Sequence, residues 1–259
     1  MYVERFGSEE GPPVIFLHGA MVAGWMWREQ ADALTDHCCF LPDLPGWGRS
    51  AEHGWRSLAD TAEQIAALIT GVCDGGRAHV VGLSLGGLVG LHLAAQTPER
   101  VRSLMVSGVP MGRVRGPLQW LNRAFAGLYA RPWGAGVVAT AFGLPDDESR
   151  AAFLATAAQT PRATLATVQS EIAGGALPRD PGAITPRSLL VVGERDLALS
   201  RDAVPWLVGR MPNALGFEVP GVGHQWNAED GQGFTALVRA WIDGTALPDT
   251  LRPLGSAVP

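Results

Sequence analysis

The stretch Ala78-His79-Val80-Val81-Gly82-Leu83-Ser84-Leu85-Gly86-Gly87-Leu88-Val89-Gly90-Leu91-His92-Leu93-Ala94-Ala95 changes character half-way. Up to Leu83 it is a short apolar run, as a strand buried on both faces requires. From Gly86 onward it reads as a helix. Gly82-Leu83-Ser84-Leu85-Gly86 sits at the junction, and G-x-S-x-G between strand and helix is the setting of a nucleophile elbow. So sharp a turn forces Ser84 to positive φ, and the residues two before and two after it must lack bulk. Both are glycine. The helix starting beside Ser84 also directs free N–H groups and a positive dipole end at the serine. Ala78 to Pro98 is 21 residues without a formal charge, enough to span ~30 Å of bilayer as one helix. Its glycines and its change of period favour strand–turn–helix, so no membrane association is expected.

Outward from this junction the pattern alternates strand and helix, which predicts an α/β fold with a mostly parallel, doubly wound sheet and helices on both faces. About seven strands are expected: Tyr2–Phe6, Val14–His18, Cys38–Leu41, His79–Leu83, Val101–Ser107, Leu189–Gly193 and Phe217–Val219. Ser57 and Asp60 form a capping pair for a helix to about Thr70. Gly86–Gln96, Leu199–Arg210 and Glu229–Ile242 are further helices. The strand rhythm stops between Val109 and Pro186, where Leu118, Leu121, Phe125 and Leu128 mark one face of a helix. The division expected is a core of residues 1–110 and 186–243, a helical insertion over 111–185, and a flexible tail over 244–259.

Composition removes whole chemistries. The chain has 259 residues and a formal charge of −5, and all 20 of its basic residues are arginine. Without lysine there is no P-loop, Schiff-base, pyridoxal-phosphate or Ser-Lys chemistry, because arginine does not deprotonate to act as nucleophile or base. A negative balance with dispersed arginine also argues against nucleic acid as a partner. Cys38, Cys39 and Cys73 lack the spacing of a zinc site or redox pair and read as buried thiols. The acidic N-terminus lacks the order of a signal peptide, so a cytoplasmic location is expected.

A serine hydroxyl needs a base, and the base needs an acid to hold it. Of six histidines, His224 is the natural base, carried by the glycine-rich Pro220-Gly221-Val222-Gly223 loop after the last parallel strand. His18 is expected to bond to backbone, and His92 to be a satisfied core or groove residue. Asp196 follows the strand Leu189–Gly193 and so reaches the carboxyl edge of the sheet, where sites form in open α/β proteins. Glu194 and Asp202 compete with it, as acids beside arginine that are more often plain surface charges. The chain order Ser84, Asp196, His224 matches one of the three known serine-triad orders.

With these residues in place the sequence resembles the α/β-hydrolase superfamily over all but the middle insertion. The likeness rests on Leu17-His18-Gly19-Ala20, on Asp43-Leu44-Pro45-Gly46-Trp47-Gly48-Arg49-Ser50 as a D-x-P-G-x-G-x-S loop, on the elbow, on Gly193 to Asp196, and on Gly223-His224. The resemblance implies Ser84 as nucleophile, His224 as general base and acid, and Asp196 as orienting carboxylate. It implies an oxyanion hole formed by the backbone N–H groups of Ala20 and Leu85, and a helical cap in place of the insertion. It implies no cofactor and no metal, and it assigns Asp43 and Arg49 to fixing loops. The family's initial hairpin is expected to be shortened to one strand, Tyr2–Phe6. Serine at position 84 disfavours the haloalkane dehalogenases and epoxide hydrolases, which use aspartate. The plant hydroxynitrile lyases share an H-G-A opening but need a lysine.

The function this implies is cofactor-independent hydrolysis of a small, largely apolar ester, thioester or lactone through an acyl-enzyme on Ser84. One alternative is a C–C or natural-product tailoring hydrolase acting on a diketone or polyketide-like substrate, although the H-G-x-G-P-G opening of the ring-cleavage enzymes is missing. Another is a ligand-binding receptor that keeps the triad and turns over little. Trp25, Leu85, Met111 and Trp226 lie beside motifs and are pocket candidates, with Trp120 and Tyr129 from the insertion. Arg113, Arg115, Arg123 and Arg131 would form either a solvated helix face or a carboxylate-selecting group.

Overall fold

A computed structural model describes residues 1–111, 124, 126–141, 144 and 146–255. The seven apolar runs form strands β1 (Val3–Gly7), β2 (Pro13–Leu17), β3 (Cys38–Pro42), β4 (Ala78–Leu83), β5 (Val101–Ser107), β6 (Ser188–Gly193) and β7 (Ala214–Val219). An eighth, β8 (Arg252–Pro253), joins at the far edge, and the order is β1-β3-β2-β4-β5-β6-β7-β8. β1 on β3 and β8 on β7 are antiparallel, and every other pair is parallel. The chain places β3 on one side of β2 and then β4 on the other, so the order reverses between β2 and β4. Ligands of open α/β sheets bind at the carboxyl end of such a reversal. Ser84 follows β4, and His18-Gly19-Ala20 follows β2.

Side chains alternate across the sheet with period two. Val14, Phe16, Cys39, Leu41, Val81, Leu83, Leu189 and Val191 enter one core, with Trp27 just before α1 (Arg28–Ala33), Ala31 on α1, and Phe234, Leu237 and Trp241 from the C-terminal helix. Ile15, Leu17, Cys38, Phe40, Val80, Leu104, Val106, Leu190 and Val192 enter the other. That second core is completed by α2 (Leu58–Val72), α3 (Leu85–Gln96) and a helix after β6. Ser57 caps α2 by accepting the Asp60 N–H at 3.0 Å, as the sequence predicts.

Between β5 and β6 lie a helical turn at 126–129 and the helices α4 (Pro132–Ala141), α5 (Asp147–Gln159) and α6 (Arg162–Gly174). Glu171 on α6 ties this insertion to the core, accepting from Trp55 Nε1 at 2.9 Å and from the Leu58 N–H at 2.8 Å. The chain closes with α7 (Ala198–Val208), the short α8 (Trp226–Glu229) and α9 (Gly231–Asp243). Leu118, Leu121, Phe125, Arg113, Arg115, Arg123 and Trp120 lie outside the described residues.

Part of the tail is held on the sheet. Residues 252–253 pair with β7, the Leu254 N–H donates to Gly216 O at 2.8 Å, and Leu247 and Leu251 pack on the apolar core. A two-residue strand has no period to detect, and Arg252 holds it by ion pairs to Glu194 and Glu218. The three cysteines are free and buried, and burial pushes the Cys39 thiol up to about 12 and Cys73 up to about 11. Among the described residues no helix is long and apolar enough to cross a membrane.

Two measurements test this packing. A Cβ at Gly86 would lie 2.0 Å from Leu17 O and 2.7 Å from His18 O. Gly86→Ala is therefore expected to lose at least about 2 kcal/mol in urea unfolding. Gly71→Ala in α2, where nothing lies within 4 Å, should gain up to about 1 kcal/mol. Burial also lowers the pKa of His79, whose Nδ1 lies 2.7 Å from Ser103 Oγ, to about 4. The unfolded chain then binds more protons, so stability is kept above the ordinary imidazole range near ~6.5 and lost as pH falls through the folded value. His79→Gln should make the acid-side fall of the urea midpoint shallower.

Candidate active site

The site is built where β4 turns into α3. Ser84 has φ 53° and ψ −113°. Among the described residues only it and Met21 (φ 69°) are non-glycine residues with positive φ. The strain is held by backbone. The Ser84 N–H donates to Ser107 O at 2.8 Å, and Ser84 O accepts from Leu88 at 3.0 Å. A Cβ on Gly82 would meet Gly86 O at 2.5 Å, so both elbow glycines are required by backbone contact. The N–H of Leu85, first residue of α3, has no partner within its helix and opens beside the serine.

At the ends of β6 and β7, His224 Nδ1 lies 3.0 Å from Asp196 Oδ1 and 2.9 Å from Oδ2. Nδ1 must carry the proton to donate to a carboxylate, which leaves Nε2 as the free acceptor. The Asp196 side chain is 1% exposed and that of His224 is 35% exposed. Asp196 Oδ1 also accepts the Leu197 N–H at 2.6 Å, which fixes the carboxylate. Glu194 and Asp202 do not reach His224. Glu194 instead braces the loop beneath it, accepting from the Gly221 N–H at 2.8 Å and from Arg252, both of which lower its pKa. Glu229 accepts the Gly223 N–H at 3.0 Å and holds the other end.

Gly108 is a site residue that motif reading passes over. At φ 64°, its absent Cβ would lie 2.9 Å from His224 Cε1 and 3.1 Å from Asp196 Oδ2. Ser107 O holds Ser84, so the Ser107-Gly108 pair seats both the serine and the His–Asp couple. The signal available was a glycine directly after a strand neighbouring the elbow strand.

His18 is buried and bonds only to backbone, with Nδ1 2.7 Å from Gly19 O and Nε2 accepting the Leu44 N–H at 2.9 Å. Burial lowers its pKa, keeping the imidazole neutral. Asp43 accepts the N–H groups of Gly24 and Arg49, each at 2.8 Å, and so clamps two loops. A Cβ on Gly19 would lie 3.8 Å from Ser84 Cβ, which puts Ala20 one residue from the serine. The Tyr129 hydroxyl donates to Met21 O at 3.0 Å, and burial raises its pKa. His92 Nε2 donates to Ala176 O at 3.0 Å, a histidine satisfied by backbone.

A cavity of about 830 Å³ opens beside Ala20, Met21 and Trp47, with walls from the 126–131 segment and α6. Its lining includes none of the five described pocket candidates, Trp25, Leu85, Met111, Tyr129 and Trp226, and Leu85 is buried in the core. Trp226 is buried in the α1/α9 core, its Nε1 donating to Ser107 Oγ at 2.8 Å. Trp25 donates to Thr156 Oγ1 at 3.0 Å and faces a smaller groove. Met111 packs on the other core, and Tyr129 is buried against Phe153. Trp47 and Leu165 line the cavity and were missed, because nothing in their local pattern distinguishes them from core. No metal-binding group of His, Cys, Asp or Glu occurs among the described residues.

Residues 14–237 match the model of the alpha/beta hydrolase family. The chain belongs to that family. A protein of Gibberella zeae described as an AB hydrolase superfamily protein is 30% identical over 247 residues, covering 92% of this chain and 83% of that one. A pimeloyl-[acyl-carrier protein] methyl ester esterase of Chromobacterium violaceum is 30% identical, covering 86% and 91%. Other curated relatives align over less than half of their length, such as 39% for the enzyme of that name from Vibrio parahaemolyticus. The enol-lactonase of Burkholderia xenovorans has a similar structure, with a TM-score of 0.73 at 23% identity, covering 93% and 96%.

The Tyr129 bond to the Met21 carbonyl gives a direct test. Tyr129→Phe leaves that buried acceptor without its hydroxyl donor and should cost about 1–2 kcal/mol in chemical unfolding.

Proposed function

We propose that this member of the family is a cofactor-independent serine hydrolase of a small, largely apolar ester, thioester or lactone. The observation that carries the reading is the His224–Asp196 couple, seated on Gly108 beside a serine held at positive φ. Ser84 Oγ attacks the carbonyl carbon while His224 Nε2 takes its proton. Asp196 keeps the imidazole in the correct tautomer and stabilises the imidazolium. The oxyanion of the tetrahedral intermediate accepts from the N–H groups of Leu85 and Ala20, each worth roughly 3–4 kcal/mol at the transition state. His224 then returns the proton to the leaving alcohol or thiol. The acyl-enzyme is opened by water, with His224 again as base.

Relatives described as esterases, and a similar structure described as an enol-lactonase, support ester chemistry. We read residues 111–185 as a cap over a core of 1–110 and 186–243. Free, buried cysteines fit a reducing, cytoplasmic setting.

A fluorophosphonate probe is expected to label the wild type, and Ser84→Ala to abolish both labelling and p-nitrophenyl ester hydrolysis. Loss of a triad member typically costs roughly 10⁴–10⁶ in kcat. Equal labelling of wild type and Ser84→Ala would overturn the assignment.

A further inference from the structure

The structure assigns the 830 Å³ cavity a substrate class. We propose that it takes an ester whose far end carries a carboxylate, received by Arg131 and Arg162. The proposal rests on the serine-hydrolase reading above and adds the chemistry of the remote group.

Most guanidinium side chains among the described residues are engaged. Arg28 pairs with Glu4, Arg195 with Glu229, Arg201 with Glu218, Arg239 with Asp36, and Arg252 with Glu194 and Glu218. Others donate to carbonyls, as Arg187 does to Trp241 O and Arg210 to Trp206 O. Among the described residues, three arginine side chains have neither a hydrogen bond nor an ion pair: Arg131, Arg162 and Arg179. Two of the three line the cavity. The Arg131 guanidinium lies over the Trp133 ring, 5.9 Å from its centroid. A planar guanidinium fork in that condition offers parallel N–H donors matched to a carboxylate.

The surroundings add to this field and do not cancel it. Along the described residues 126–141 Arg131 is the one charged residue and no acid is present, within a protein of net charge −5. Arg162 is the first residue of α6, whose N-cap, Pro161, provides no side-chain cap, and the first turn holds no acid. The positive end of that helix therefore adds to the guanidinium. The one carboxylate on α6, Glu171, is held by Trp55 and Leu58. Much of the remaining wall is small and apolar, including Ala126, Gly127, Ala130, Ala166 and Ala173. Such walls concentrate the field of the two cations inside the cavity. Its volume lies within the roughly 300–1,000 Å³ typical of small-ligand sites. The lining includes Ala20 and Met21, and Gly19, the residue before them, approaches Ser84 so closely that its Cβ would lie 3.8 Å from Ser84 Cβ. A substrate with a reactive ester at one end, an alkyl chain in the middle and an anion at the other end satisfies each of these regions.

The experiment compares mono-p-nitrophenyl adipate with its neutral isostere p-nitrophenyl 6-methylheptanoate, together with the suberate and sebacate pairs, in wild type, Arg131→Gln, Arg162→Gln, the double variant and Arg179→Gln. In at least one pair the wild type should favour the acid by about tenfold in kcat/KM, expressed in KM, as one charge-assisted hydrogen-bond pair provides. The double variant should abolish that ratio, Arg162→Lys should retain part of it, and Arg179→Gln should leave it unchanged. Raising NaCl from low to high concentration should shrink it. Binding is read independently of turnover by the thermal shift that suberate and sebacate dianions produce in the wild type and not in the double variant. A wild type that favours the neutral isostere at every length and shows no shift would overturn the proposal, as would a ratio indifferent to Arg131 and Arg162. If instead Ser84→Ala retains hydrolysis, it is the serine-hydrolase reading that falls.

Discussion

The rest of the structure depends on how closely α3 approaches the ends of β2 and β4. At Gly86 the helix backbone lies so near the Leu17 carbonyl that no side-chain carbon fits, and at Gly82 the strand is as near to Gly86. These contacts leave the chain no wider path between β4 and α3, so Ser84 takes up the turn at positive φ. The cost of that conformation, of order 1–3 kcal/mol, is offset by the fully buried apolar strands on either side. A looser elbow would relieve Ser84 and would also move it from the β2 loop.

From this junction the site is assembled almost entirely by main chain. Ser107 O holds the Ser84 N–H, and Gly108, next in sequence, leaves room for the imidazole and carboxylate of His224 and Asp196. Side chains brace the loops from behind: Asp43 across the 24–49 region, Glu194 and Glu229 under the His224 loop, His18 between Gly19 and Leu44. None of these need touch a substrate. They explain why a sheet edge made of loops can keep a fixed geometry.

The strands were legible because their side-chain period is set by the pleat, and their composition by burial on two faces. Ser84, Asp196 and His224 were legible as candidates because each stands at the carboxyl end of a recognisable strand, flanked by glycine. Trp25, Trp226 and Tyr129 face away from the cavity for the opposite reason. Proximity to a motif in sequence says little about direction, which is decided by partners far away: Thr156 for Trp25, Ser107 for Trp226, Met21 and Thr160 for Tyr129. β8 was invisible because two residues have no period, and its anchor is an ion-pair network closed from β7 and the turn after β6.

The same distant partners join the inserted helices to the loop after β2. Tyr129 grips Met21, the other non-glycine residue at positive φ, and Trp25 reaches Thr156 on α5. Tyr129 and Thr160 are themselves within hydrogen-bond reach, and Thr160 leads back to Thr156 through its backbone carbonyl. The insertion is thus bonded to residues immediately after Ala20, and the Ala20 N–H cannot be displaced without straining those bonds. This loop sits where the reversal between β2 and β4 opens a crevice at the sheet edge. Helices that wall the cavity on one side and hold the loop on the other make the shape of the cavity and the position of the loop after β2 a single mechanical unit.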